Sequence, residues 1–312
     1  MSKDTNVEWC DSSVNPIMGC EGCELWTKNT RICYAGLLHD MRGGHKGYAL
    51  QFEKPETFPD RMADAAKWKD LTGSERKGTN KTAAKPWLNA LPRTIFVGDM
   101  GDLFSTAIKD EYIADTLSTA AAAKQHIWMF LTKRPKRMAE LVPWDETDPP
   151  PSNLWGMTSI TNRKSLPRIE FLKQSGFHVK GLSVEPLLED IPDLPSMLDG
   201  IDWVIVGGTS GVSGIPKTEI AWIERIVGAC LDRGLPVFVK QIGSGHGTKG
   251  DPKGGWPRFW PKSIQYRQMP LQKVPAPGDW RFDLSKFYAF KPDMFDESSP
   301  NIIRDGAAIP HH

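Results

Sequence analysis

TIFVGDMGDLF, residues 94–104, starts as an apolar run and breaks into glycine and aspartate. Thr94 to Val97 are β-branched or aromatic, which suits a strand. They do not alternate with polar residues, which suits a strand buried on both faces. The same pattern recurs in HIWMFLT (126–132), NLWGMTSI (153–160), VKGLSVEP (179–186), DWVIVGG (202–208) and LPVFVKQ (235–241). Helical stretches lie between: KDEYIADTLSTAAAAKQ (109–125), acidic at its start and basic at its end, NRKSLPRIEFLKQSG (162–176) and KTEIAWIERIVGACLDRG (217–234). Strands alternating with helices predict a parallel α/β sheet with right-handed crossovers. An early strand in VEWCDSS (7–13) brings the count to about seven, which favours a partial or complete (β/α) barrel over a doubly wound sheet.

Elsewhere, PDRMADAAKWKDL (59–71) reads as a helix and TGSERKGTNKTAAK (72–85) as a loop. Residues 1–270 are expected to form one barrel-like domain, and 271–312 a C-terminal extension that is partly irregular. The 39 Lys and Arg against 38 Asp and Glu give a net charge of +1, so bulk charge argues for neither nucleic acid nor membrane. No apolar run reaches the length of a membrane span, and the start MSKDTNVEWC lacks the apolar core of a signal peptide. The expected compartment is cytoplasmic, where clustered cysteines bind metal or do redox work more often than they pair. The 12 tryptophans suit a wide core, with stacking on a substrate as a second use.

In a parallel barrel the C-terminal strand ends face the active site. Here they carry Asp99, Asp102, Lys133, Arg134, Ser159, Asn162, Glu185, Ser210, Lys240 and Gln241. Asp99 and Asp102 suit a ribose or an amino group, or alternatively cap the next segment. Glu185 precedes Pro186, which favours extended backbone and aims the carboxylate inward; pairing with Lys240 or Lys133 is its structural alternative. GGTSG (207–211), with Gly207, Gly208 and Ser210, offers backbone that can approach a ligand closely.

GCEGCELWTKNTRICYAG, residues 19–36, holds three of the five cysteines: Cys20, Cys23 and Cys33. Three thiolates suit a 4Fe–4S cluster with one open iron, which can chelate a small molecule. A structural zinc site needs a fourth ligand, for which Cys10, His39 and His45 are near in sequence. Spacing leaves both readings open. Cys230 falls within an amphipathic helix and reads as core.

Taken together, NPIMGCEGCELW with CYAG, VGDMGDLF, FLTKRP, NLWGMTSITN, GLSVEPLL, DWVIVGGTSG and PVFVKQIG resemble the phage Gp37/Gp68 family of three-Cys-motif, DUF5131-type proteins. That family looks like a divergent branch of the radical S-adenosylmethionine superfamily. The resemblance implies a partial (β/α) barrel, a 4Fe–4S cluster at Cys20, Cys23 and Cys33, and S-adenosylmethionine as cofactor. It places Asp99, Asp102, Gly207, Gly208 and Ser210 at the cofactor, with Ile32, just before the last cysteine, near the adenine; Ser159 at a strand end and Tyr34, just after that cysteine, are further expected cofactor contacts. The superfamily's usual spacing is C-x3-C-x2-C; here it is C-x2-C-x9-C, so ELWTKNTRI (24–32) must loop out.

The leading expectation is an enzyme that makes a 5′-deoxyadenosyl radical to modify a substrate, with Glu185 and Lys240 as catalytic residues in the cavity wall and an electron donor protein as partner. By analogy the substrate is a nucleic-acid base; LTKRPKR (131–137) and KGGWPRFWPK (253–262) are candidate contacts to phosphates and bases, but a solvated basic face and a Trp-anchored tail are the favoured readings of the two. The rivals are a zinc-stapled nucleic-acid- or partner-binding protein without turnover, and a metal-free barrel enzyme using Glu185 and Lys240 for acid–base work.

Overall fold

A computed structural model gives the architecture; it describes residues 1–270 apart from 44, 80–81, 143, 145–148 and 211–214. The strands are β1 (Ser12–Val14), β2 (Ile17–Met18), β3 (Glu56–Thr57), β4 (Arg93–Val97), β5 (His126–Thr132), β6 (Leu154–Ser159), β7 (Val179–Val184), β8 (Trp203–Gly207) and β9 (Val237–Gln241). The helices are α1 (Tyr34–Arg42), α2 (Asp60–Ala66), α3 (Asp110–Ala122), α4 (Pro135–Leu141), α5 (Arg168–Gln174) and α6 (Ile220–Leu231). Seven strands form one parallel sheet in the order β1-β4-β5-β6-β7-β8-β9, while β2 and β3 make a small antiparallel ribbon. Sequential order with crossovers of one hand winds the chain one way, which gives a partial barrel and not a doubly wound sheet. Among the described residues β1 and β9 are not paired with each other.

The period of two along each strand divides the core. Ile95, Val97, Trp128, Phe130, Leu182, Val204 and Val237 face the helices and pack with Ile113, Leu117, Ile169, Ile223 and Val227. Their alternates Phe96, Met129, Trp155, Met157, Trp203 and Phe238 face inward. That inner face is filled by residues from outside the sheet: Trp9, Cys10, Trp87, Leu88, Leu91 and Met269. Trp9 meets Phe96 with ring centroids 4.8 Å apart, and Trp155 meets Trp203 edge-on at 5.9 Å. The abundance of tryptophan is therefore largely a packing requirement, since large rings fill the space that a closed barrel would share among more strands.

Both open edges of the sheet are covered. Ser2 bridges Ser13 antiparallel along β1, and Arg267 bridges Phe238 along β9. Arg267 is buried, donates to the Lys240 carbonyl at 3.0 Å and lies over the Trp87 ring at 4.4 Å. Each bridge occupies part of an edge that another chain could otherwise extend.

The six later runs predicted as strands are strands. The early one is displaced: β1 begins at Ser12, because Trp9 and Cys10 turn into the inner core. That turn wraps the Lys85 ammonium, which donates to the carbonyls of Thr5 at 2.6 Å and Val7 at 2.7 Å. The loop at 72–85 is pinned by Arg76, paired with the buried carboxylate of Asp11 at 3.1 Å. The helix predicted at 162–176 splits into a 3-10 turn, Arg163–Ser165, and α5, with Pro167 at the break. Cys230 is buried in the core as expected. The extension at 271–312 lies outside the described residues. No described helix is long and apolar enough to cross a membrane.

His126 is fully buried at the start of β5, and burial followed by the nearby Arg93 lowers its pKa to about 4. The unfolded chain takes up a proton there near pH 6.5, whereas the folded chain does so only near pH 4. Stability from this group is thus complete above about pH 6.5 and falls as pH drops through that window. Denaturant unfolding should show the wild type losing about 2–3 kcal/mol more than His126→Gln between neutrality and about pH 4.

Candidate functional site

The C-terminal ends of the parallel strands form one mouth, and the cysteine loop lies across it. The loop enters by a backbone contact with the GDMGD turn: Gly19 N–H donates to the Met100 carbonyl at 3.0 Å, and Gly19 bridges Gly101 in parallel. A Cβ on Gly101 would lie 2.7 Å from the Gly19 carbonyl oxygen and 2.2 Å from Ile17 Cδ1. Only glycine allows this approach.

The insertion between Cys23 and Cys33 is a compact hairpin. Trp26 N–H donates to the Cys23 carbonyl at 2.9 Å, and Thr27 N–H to the Thr30 carbonyl at 2.7 Å. The chain then returns to Leu25, whose carbonyl accepts from the N–H groups of Ile32 at 3.0 Å and Cys33 at 3.1 Å. Leu25 N–H itself donates to Cys23 Sγ at 3.4 Å. One residue therefore ties the second cysteine to the third, which is how a C-x9-C spacing keeps them neighbours. Cys33 is also the N-cap of α1, at the positive end of that helix. Helix and hairpin pack through Trp26, whose ring leaves no room for a Cβ at Gly36.

Two acids, one beside each of the first two cysteines, clamp the loop to the strand ends. Glu21 accepts from Ser105 Oγ at 2.6 Å and Thr106 Oγ1 at 2.5 Å in the turn after β4. Glu24 takes a bidentate pair from Arg168 at 2.9 and 2.8 Å, and the Thr161 hydroxyl at 2.7 Å, in the segment after β6. Burial opposes the charge on Glu24, but Arg168 and Thr161 outweigh it and lower its pKa to about 2. Neither acid stands out in the sequence; the only signal is a carboxylate directly after each of Cys20 and Cys23.

Asp102 is enclosed by protein partners. It accepts from Thr132 Oγ1 at 2.7 Å, Lys133 N–H at 3.1 Å, Phe104 N–H at 3.1 Å and Arg134 Nη1 at 2.8 Å. Asp99 is different. Its carboxyl is held by the side chains of Asn15 and Ser13, yet Oδ1 is buried without a partner. Burial raises its pKa, partly offset by those hydrogen bonds. Exposed Tyr34 lies within electrostatic range of Asp99 and Lys240.

Glu185 and Lys240 pair with each other at 3.0 Å. The Lys240 pKa is raised: burial acts against the ammonium, but Glu185 more than restores it. Gly207 lies beneath this pair, and a Cβ there would reach 2.1 Å from Glu185 Oε1. The Gly208 N–H donates to the Gln241 carbonyl at 3.0 Å, so these two glycines serve close packing within the protein. Ser159 is buried at the end of β6 and accepts from Lys133 Nζ at 3.4 Å. Ser210 is half-buried just past β8, Ile32 is half-buried in the hairpin, and Gly211 falls outside the described residues.

The expected basic stretch at 131–137 largely turns inward. Arg134 binds Asp102, and Arg137 is held by the carbonyls of Ser105 and Ile108 and by Asp110. In 253–262, Trp260 is a buried anchor donating to the Gly254 carbonyl at 2.9 Å. Trp256 and exposed Phe259 stack with centroids 5.8 Å apart, with Arg258 over both rings.

Cys20, Cys23 and Cys33 are all partly exposed, unlike buried Cys10 and Cys230. The donor chemistry fits a thiolate-bound metal group: three soft ligands, an N–H aimed at Cys23, and cations beside two of the sulfurs. Burial raises the Cys20 pKa, with Asp102 adding and Arg134 opposing; burial also raises that of Cys23, opposed by Lys133. Metal loading would therefore release protons. Among the described residues no group of three or more His, Cys, Asp or Glu side chains stands in metal-ligand arrangement. Of the fourth-ligand candidates, Cys10 is sealed in the inner core, and His39 Nε2 is engaged with the Ala49 carbonyl at 2.8 Å. His45 is exposed beyond α1.

Glu24→Gln should lower unfolding stability by about 2 kcal/mol, the scale of a lost charged hydrogen-bond pair. Limited proteolysis should then cut the hairpin at 24–32 sooner than in the wild type, with the sheet still intact.

No curated protein matches the chain. Three solved structures of spore photoproduct lyase follow a similar course. A cysteine-to-serine mutant has TM-score 0.39 at 13% identity, over 63% of this chain and 55% of that one. The complex with dinucleoside spore photoproduct has TM-score 0.36 at 15%, over 61% and 53%. A tyrosine-to-phenylalanine mutant has TM-score 0.38 at 13%, over 71% and 64%. This chain thus spans between 53% and 64% of the length of those proteins. Residues 4–270 match the family described as "Protein of unknown function (DUF5131)", and the chain belongs to that family.

Proposed function

We propose that the chain is an iron–sulfur enzyme that uses S-adenosylmethionine at the mouth of its partial barrel. The observation that carries this reading is the three-thiol loop held over the C-terminal strand ends by Glu21, Glu24 and the Gly19–Gly101 contact. Cys20, Cys23 and Cys33 would hold a 4Fe–4S cluster. When bound and reduced by an external electron donor protein, such a cluster would supply the electron that splits S-adenosylmethionine into methionine and a 5′-deoxyadenosyl radical, which would take a hydrogen atom from the substrate.

The chain's own residues supply placement. Asp99 offers Oδ1, a buried acceptor without a donor, to the cofactor's ammonium. Tyr34 and Ile32, on either side of Cys33, and Ser210 on the rim form the rest of the cofactor wall, with Ser159 buried behind Lys133. Glu185 and Lys240 act as a fixed charge pair in that wall, since each neutralises the other. Nucleosides and DNA are the first substrates to test. The support is the Trp256–Phe259 stack with its arginine, on a segment joined to β9 by the Ile242 N–H to Gly254 carbonyl bond at 2.9 Å. A zinc staple needs a fourth ligand, and two of the three candidates are committed elsewhere.

The test is anaerobic purification and reconstitution, counting iron, sulfide and zinc, then electron paramagnetic resonance of the reduced protein with and without S-adenosylmethionine. The expected result is about four irons per chain and a signal that shifts on adding the cofactor. Cys33→Ser should lose the iron. Asp99→Asn should keep it and bind S-adenosylmethionine at least about tenfold more weakly. One zinc and no iron–sulfur signal would instead indicate the binding protein without turnover.

A further inference from the structure

We infer that Arg134 is a positioning residue for Cys20, acting through a directed N–H···S hydrogen bond and not through its net charge. Its Nη1 lies 3.7 Å from Cys20 Sγ and 2.8 Å from Asp102 Oδ2. Its Nη2 donates to the Gly22 carbonyl at 3.1 Å and lies 3.4 Å from Glu21 Oε2. The guanidinium thus touches both residues that follow Cys20 as well as the thiol itself. It is held from behind by Asp102, whose other contacts to Thr132, Lys133 N–H and Phe104 N–H fix the carboxylate at the end of β5.

The charge count shows what the arginine contributes. One cation stands between two carboxylates, so its long-range field at the thiol is largely cancelled. What survives is geometry. A guanidinium presents its donors in a rigid planar fork, and two acids on one fork leave it a single orientation. In that orientation a donor points at sulfur. Lysine would keep the charge and the pairing with Asp102, but it has no fork and cannot serve Asp102, Gly22 and Cys20 together.

A hydrogen bond to a metal-bound thiolate withdraws electron density from the sulfur and raises the reduction potential of the group it holds. Under the proposed function, Arg134 would set the potential of the bound cluster through Cys20. The inference rests on that reading for iron, but the hydrogen bond itself applies to any metal bound by the thiols.

The experiment compares the wild type with Arg134→Lys, which keeps the cation and loses the fork. Circular dichroism and iron content are measured first, then the reduction midpoint of the reconstituted protein. The inference expects Arg134→Lys to keep iron within about twofold of the wild type and to have a more negative midpoint. An unchanged midpoint in Arg134→Lys, with iron retained, would overturn it, because charge alone would then suffice. If the wild type takes no iron, the proposed function fails and the apo proteins are loaded with Co2+. A thiolate-to-cobalt absorption band at lower energy in Arg134→Lys than in the wild type would still support the hydrogen bond. An unmoved band, or a wild type that binds neither metal at these thiols, would sink it.

Discussion

Seven parallel strands in sequential order place every C-terminal strand end on one rim. That constraint governs the rest of the molecule. Each crossover returns along the outer face, so every turn leaving a strand opens at the same mouth. The cysteine loop comes before all but one of these strands in the chain, yet it meets the turns after β4, β5 and the segment after β6 together. The rim gives the loop partners that lie far away in sequence.

The partial barrel has two needs that a closed barrel does not: its inner face must be filled and its edges covered. Tryptophans and residues from outside the sheet meet the first, and chain segments from both ends of the described structure meet the second. Arg267 serves both. Its backbone extends β9 while its guanidinium lies on the Trp87 ring inside. A buried guanidinium is costly unless its donors are satisfied, and here carbonyl acceptors and ring faces meet that need.

The mouth is built from charge pairs that are mostly internal. Asp102 with Arg134, Glu24 with Arg168 and Glu185 with Lys240 each neutralise a cation at short range. Fixed pairs of this kind hold side chains in place without presenting a net field. Asp99 stands apart, because one oxygen is buried with no donor. A buried acceptor left open is an unfavourable arrangement for an empty protein and a favourable one once a donor arrives. The mouth therefore combines a rigid frame with buried acceptors that lack a donor among the described residues, Asp99 Oδ1 and Gln241 Oε1.

The sequence by itself determined the strands, their parallel order and the three cysteines. Each depends on local information: continuous apolar runs, the lengths between them and residue identity. It also singled out Asp99, Glu185 and Lys240 by their place at a strand end. It did not separate Asp99 from Asp102, because both follow glycine in GDMGD; only tertiary structure decides that Asp102 is surrounded by donors and Asp99 is not. The roles of Glu21, Glu24 and Arg168 were likewise hidden, since their partners lie tens of residues or more away in the chain. The long gap before Cys33 looked like a defect in a metal motif. Folded, it closes on the Leu25 carbonyl, and that backbone bond, independent of side-chain identity, leaves no mark in the sequence.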